Sequence, residues 1–129
     1  AEAAFKLGAV SLSGGYELLG SDDGVAAFST PLATLHKFQG WTDRFLSTPA
    51  AGVEDIYLGA SGALGGIKLS ATYHDLASDY GSTDYGQEID VSAAKKFGPV
   101  TVLVKYADYQ ADDFGSDTQK LWFMLNATF

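Results

Sequence analysis

The sequence predicts an all-β protein, an antiparallel up-and-down transmembrane β-barrel, and three observations support this prediction. Segments in which apolar and polar residues alternate recur along the whole chain, and a period of two is typical of strands with one apolar and one polar face. The connections between these segments are short and long in strict turn, as at the two ends of an outer-membrane barrel. The clearest segment ends the chain, where every second residue from Leu121 to Phe129 is apolar.

The composition narrows the class of protein. The chain has 129 residues, enough for one domain over 1–129, and it has no cysteine for disulfides or thiolate metal sites. With 16 acidic and 8 basic residues the formal charge is −8, which argues against nucleic acid as a partner. No apolar run approaches the roughly 20 residues of a spanning helix. The first residues lack a signal-peptide pattern, so we expect a mature, processed or cut chain.

The first two predicted strands are 2–7 and 11–19. Every second residue from Ala3 to Leu7 is apolar, and so is every second one from Leu12 to Leu18 apart from a glycine. The break at 8–10 contains a glycine and is short enough for a tight turn.

Three further strands follow the long connection. The segments 53–64 and 67–76 alternate on both sides of Gly65-Gly66, which predicts a hairpin. After a polar loop at 78–86, the alternation resumes over 88–97.

The last two strands are predicted over 101–111 and 117–129. Gly98-Pro99 is a turn pair before the first of them, and a polar stretch at 112–116 joins the two. The alternation of the first is less clean, because both of its registers carry apolar residues. In all, seven segments approach the roughly 9–11 residues that a tilted spanning strand needs.

An odd number of strands is unusual for a bacterial single-chain barrel, which has an even number. Open sheet edges cannot persist in hydrocarbon, since their backbone groups go unsatisfied. Either an eighth strand lies within 20–52, giving a small eight-stranded barrel, or the chain is part of a larger wall. We prefer the second interpretation, in which N-terminal barrel strands or another chain complete the wall.

The stretch 20–52 lacks alternation and is predicted to be a long extracellular loop. Long loops inside compact domains are usually functional. We expect a helical turn over 42–46, with Thr42 as its cap. The loop either enters the barrel and lines a path or caps the rim, and both alternatives stay open. Its candidate site residues combine cations with an aromatic ring: Lys37, Trp41 and Arg44.

The polar register of the strands is the expected inner face. In the functional interpretation its lysines attract an anionic solute and its aromatic rings stack on it; in the structural one, ion pairs satisfy the charges. Acids and bases are mixed along the sequence of this register, which favours the structural interpretation. The candidate pore-lining residues are Tyr57, Lys68, His74, Lys96, Lys105, Lys120 and Trp122.

Catalytic and metal chemistry are not predicted. His74 has an acidic neighbour, but no second histidine lies nearby and no serine occupies a nucleophile elbow. The paired acids of the loops lack the regular ligand spacing of a calcium loop. We therefore expect neither an enzyme nor a cofactor.

Several stretches resemble a known family: LATLHKFQGWTDRFLSTPAAGVEDIYLGASG (32–62), YHDLASD (73–79), KYADYQADDFGSDTQKLW (105–122) and the terminal Phe129. They are similar to the C-terminal part of the alginate-export family of bacterial outer-membrane porins. The resemblance implies a Gram-negative outer-membrane location, contact with lipid, and passive passage of an anionic polysaccharide such as alginate or a related solute. It also implies that Phe129 is read by the outer-membrane assembly machinery.

The family members are considerably longer, so the chain resembles their last seven strands. A different expectation is a small structural outer-membrane barrel whose interior is filled with side chains and does not conduct.

Overall fold

The fold is all-β in the computed structural model, which describes residues 1–30 and 38–128. Within these ranges no helix is long and apolar enough to cross a membrane. The strands are β1 Glu2–Leu7, β2 Val10–Leu19, β3 Ser21–Asp22, β4 Ala26–Ala27, β5 Val53–Leu64, β6 Ile67–Ala77, β7 Asp84–Phe97, β8 Val100–Ala111 and β9 Thr118–Ala127.

One antiparallel sheet contains the seven long strands in the order β1-β2-β5-β6-β7-β8-β9, so neighbours in the sheet are neighbours in the chain. The tight connections at 8–9, 65–66 and 98–99 all lie at one end of the sheet, which we call the tight-turn end. The longer connections lie at the opposite end, the long-loop end. The predicted strand number and separation of loops by length are confirmed.

The segment 20–52 contains a two-stranded ladder, β3 with β4, that the sequence did not predict. The expected helical turn over 42–46 is wrong, because this stretch forms turns and bends. The amide and hydroxyl of Thr42 donate to the carboxylate of Glu88 on β7 instead of capping a helix.

The prediction that a polar loop extends to residue 86 is also wrong, because β7 begins at Asp84. Tyr85 explains the difference: its side chain is buried, and its hydroxyl donates to the carbonyl of Gly52 at 2.8 Å. The ladder between β6 and β7 shifts register between Leu76 and Ala77, which accommodates the added residues.

The register places the predicted polar residues of all seven strands on one face. Tyr57 lies opposite His74, and His74 lies opposite Glu88 on the next strand. We call this the polar face and the other the apolar face. The apolar face carries large, exposed side chains across the whole sheet, among them Phe5, Leu58 and Phe123.

The hydrophobic core lies on the polar face at the long-loop end. It forms where part of the long connection packs on the sheet, with Phe45 at its centre. Phe45 stacks on Tyr85 at 5.4 Å between ring centroids and meets Tyr109 edge-on at 6.1 Å. The other buried members are Leu19, Val53 and Leu76.

Replacing Phe45 with alanine should strongly destabilise the fold. Its side chain is 1% exposed, whereas that of the adjacent Leu46 is 51% exposed. We expect Phe45→Ala to lower the free energy of unfolding by about 3–5 kcal/mol, because it leaves a cavity among aromatic rings. Leu46→Ala is the matched control and should cost less than about 1 kcal/mol. Equal losses in chemical denaturation would show that this cluster is not the core.

Candidate functional site

A segment of the long connection, residues 38–45, lies across the polar face; we call it the docked segment. It reaches from Glu17 on β2 to Lys120 on β9. Within it, the side chains of Gln39 and Thr42 are buried. The docked segment therefore lies over the polar face, which is where a loop that lines a path would lie.

Four acidic side chains on the polar face accept hydrogen bonds from the docked segment. We call them the carboxylate row: Glu17, Asp55, Glu88 and Asp90.

Backbone amides supply most of these hydrogen bonds. The N–H of Gln39 donates to Asp55 at 3.1 Å, and its side-chain amide donates to Glu17 at 2.9 Å. The N–H of Trp41 donates to Asp90 at 3.1 Å, and that of the next residue donates to Glu88 at 2.7 Å. A buried carboxylate is costly unless hydrogen bonds compensate it, so these donors stabilise the row.

The backbone of the docked segment is shaped to aim its amides at the row. Gln39 and Gly40 have positive φ angles of 57° and 76°. A Cβ at Gly40 would overlap the carboxylate of Glu88, so glycine is required there both for its conformation and for space.

His74, on β6, lies between two acids of the row, Asp55 and Asp90. Its Nδ1 lies 2.9 Å from Asp55 Oδ2, and its Nε2 lies 3.8 Å from Asp90 Oδ2. The ring of Tyr57 lies 5.7 Å from the His74 ring, and its hydroxyl donates to Glu2 at 3.1 Å.

Cations and aromatic rings meet on the other side of the docked segment. Lys105 Nζ lies 3.7 Å from the centroid of the Trp41 ring and 5.3 Å from that of Trp122. Lys120 donates to Asp43 at 2.7 Å. Arg44 lies 5.9 Å from the centroid of the Tyr109 ring. Cation–π contacts and a half-buried ion pair therefore anchor this side.

The structure gathers seven of the candidate residues at the docked segment and leaves two apart. Trp41 and Arg44 belong to the segment. His74 and Tyr57 lie on one side of it, and Lys105, Lys120 and Trp122 lie on the other. Lys68 and Lys96 lie nearer the tight-turn end. Lys37 and the terminal Phe129 lie outside the described residues.

Charges of opposite sign are partly separated on the polar face. The carboxylate row lies in the long-loop half. Beyond it, toward the tight turns, the polar face of the described strands has lysines and hydroxyls but no acid. A groove of about 670 Å³ in that half is lined by Lys6, Ser11, Ser61, Lys68, Ser70 and Ser92, among others.

The interpretation that acids and bases are mixed on this face holds around the docked segment, where Lys105 and Lys120 lie beside the row, but not toward the tight turns. They are mixed along the sequence, but antiparallel strands reverse direction at every turn, so residues distant in sequence come to the same level. Lys68 on β6 and Lys96 on β7 both lie close to tight turns, for example. We call the lysine- and serine-lined part the lysine half.

Sequence reasoning missed Gln39 and Thr42 as anchors, and it placed Glu88 and Asp90 on the inner face without a role. One signal was available: two acids separated by one residue in a strand point to the same face and need donors there. The partners of such a pair are not visible in the local pattern.

Removing the hydroxyl of Thr42 should loosen the docked segment. Thr42→Val leaves one oxygen of the buried Glu88 carboxylate without its donor, which costs about 1–3 kcal/mol. Amide hydrogen exchange at residues 41 and 42 should speed up accordingly. Thr48→Val changes the same atoms in the same connection and should leave these rates unchanged. Equal acceleration by both variants would contradict the anchoring role.

Comparisons of the chain with protein families, with curated proteins and with solved structures found no match. The candidate site therefore rests on its own geometry: a loop segment fixed over buried carboxylates, beside an open surface rich in lysine.

Proposed function

We propose that the chain forms part of the wall of an outer-membrane β-barrel, with the apolar face toward lipid and the polar face toward a lumen. The observation that carries this proposal is the exposed apolar face. Leu58 is 66% exposed, and comparably exposed Phe5 and Leu121 lie at opposite edges of the sheet. Soluble monomers rarely expose so large a contiguous apolar surface, whereas a barrel wall needs one.

The two edge strands of the sheet, β1 and β9, indicate how such a wall would be completed. β1 runs toward the tight-turn end, and β9 runs the same way because it follows a long connection. Among the described strands each of them pairs with one neighbour only. Closure through antiparallel ladders alone then takes an odd number of additional strands, whether from a longer chain or from another chain.

The proposed activity is passive passage of an anionic polysaccharide, such as alginate, or of a related anionic solute. Its support is the lysine half, where Lys6, Lys68 and Lys96 face the same side as a row of serine hydroxyls. A surface with charge of one sign raises the local concentration of solutes of the opposite sign. The docked segment would narrow the passage at the long-loop half, and no covalent step is required.

A second candidate function is supported by the aromatic core. Phe45 fills the polar face at the long-loop end together with Tyr85, Tyr109 and Phe114. A barrel of this kind could be closed at that end and serve a structural role. Recordings across a planar bilayer separate the two functions, since a closed barrel gives no current.

A charge on the apolar face tests the membrane proposal. In a soluble protein an exposed Leu58→Lys change should alter the free energy of unfolding by less than about 0.5 kcal/mol. Toward lipid it should cost roughly 2–4 kcal/mol near the bilayer midplane. Ser61→Lys introduces the same side chain on the same strand but on the polar face, and it should be tolerated.

The measurement is folding into lipid vesicles, followed by denaturant titration. Equal tolerance of Leu58→Lys and Ser61→Lys would overturn the membrane proposal.

Two adjacent lysines of β7 test which face of the sheet lines the solute path. Lys96 faces the polar side, whereas Lys95 faces the apolar side near the Phe97 ring. We expect Lys96→Glu to lower the anion-to-cation permeability ratio at least about twofold, because it reverses a lumen charge. Lys95→Glu should leave the ratio unchanged. The reversal potential in a salt gradient measures it, and equal shifts would contradict the proposed lumen.

A further inference from the structure

We propose that a small cavity beneath the docked segment binds a neutral, hydroxyl-bearing ring, such as a sugar residue without a carboxylate. The cavity has a volume of about 140 Å³. It lies on the polar face apart from the lysine half, and the proposal holds whether or not the chain forms a channel. Its lining combines aromatic rings with polar groups: Trp41, Tyr57, Thr72, His74 and Asp90, among others.

Asp90 provides the strongest sign of a missing partner. Its side chain is 1% exposed, and its Oδ2 accepts from the N–H of Trp41. Its Oδ1 is buried and has no hydrogen-bond partner among the described residues. Buried carboxylate oxygens are costly when unpaired, so a donor from a ligand would stabilise this position. A sugar hydroxyl is such a donor.

His74 offers a second polar contact. Its Nδ1 is engaged by Asp55, so Nε2 is the ring nitrogen left to a ligand. Nε2 and Asp90 Oδ2 are 3.8 Å apart, too far for a hydrogen bond between them. Asp90 and His74 thus present polar atoms to one small space, which suits a ligand with neighbouring hydroxyls.

The aromatic lining suits the apolar face of a sugar ring. Tyr57 is held rigidly: its hydroxyl bonds to Glu2, and its ring lies over Gly15, where a Cβ would overlap it. The ring of Trp41 is held by Lys105, whose Nζ lies 3.7 Å from its centroid. Two preoriented rings and a few placed polar groups are typical of small-molecule sites.

The surrounding charge selects against an anionic ligand. Glu2 and Asp90 line the cavity, and Asp55 lies behind His74, so a carboxylated sugar would meet repulsion there. A metal cation is disfavoured, since no cluster of three or more His, Cys, Asp or Glu residues in the described parts could hold one. A neutral polyol fits both the unpaired acceptor and the aromatic walls.

The test uses the full chain, folded in a detergent without sugar headgroups, with glucose and glucuronate as probes. These probes share a ring and differ in one carboxylate. We expect glucose to perturb the NMR signals of the Trp41 indole and of Thr72, with glucuronate binding at least tenfold more weakly. Silence of these signals with both sugars would overturn the proposal. Identical perturbation by tetramethylammonium would overturn it in favour of a cation site.

Variants locate the site. Asp90→Asn should weaken glucose binding at least tenfold, because it replaces one carboxyl oxygen with an amide nitrogen, whereas Asp108→Asn on the apolar face of β8 should not. If Asp90→Asn fails to fold, Gly15→Ala gives an independent test, since its Cβ displaces the Tyr57 ring. Gly14→Ala, on the other face of the same strand, is its control. Equal binding by Gly15→Ala and Gly14→Ala would contradict the role of Tyr57.

Discussion

The structure depends on hydrogen bonds between buried carboxylates and the backbone of a loop. The carboxylate row would be prohibitively costly on a bare sheet, because each acid would be partly desolvated beside others of the same charge. The amides of the docked segment compensate this cost. The same bonds position Phe45, the last residue of the docked segment, and thereby bring the loop's apolar side chain into the core. Polar anchoring and hydrophobic packing thus reinforce each other.

Most of the sheet could be predicted from the sequence because strand alternation is a local signal. The apolar register from Leu121 onward and the turn at Gly65-Gly66 each require only a few consecutive residues. The start of β7 could not be predicted in this way. Tyr85 joins the strand because of its packing and its bond to Gly52, which are contacts with distant parts of the chain.

The candidate site could be predicted only in part, for the same reason. Trp41, Lys105 and Trp122 were identified from residue type and register, and the structure brings them together. The lysine half is a property of the folded sheet, since antiparallel turns bring distant residues to one level. The conformation of the docked segment depends on partners on five strands, and no local pattern specifies such a set.

The reach of the docked segment has a consequence for the order of folding. Asp43 bonds to Lys120, 77 residues later in the chain, whereas all neighbouring strands of the sheet except β2 and β5 are joined by short connections. Contacts of long sequence separation close large loops and therefore form slowly. The segment cannot complete its bonds until β9 is in place. Its docking thus acts as a checkpoint, because it becomes complete only when the final hairpin has joined the sheet.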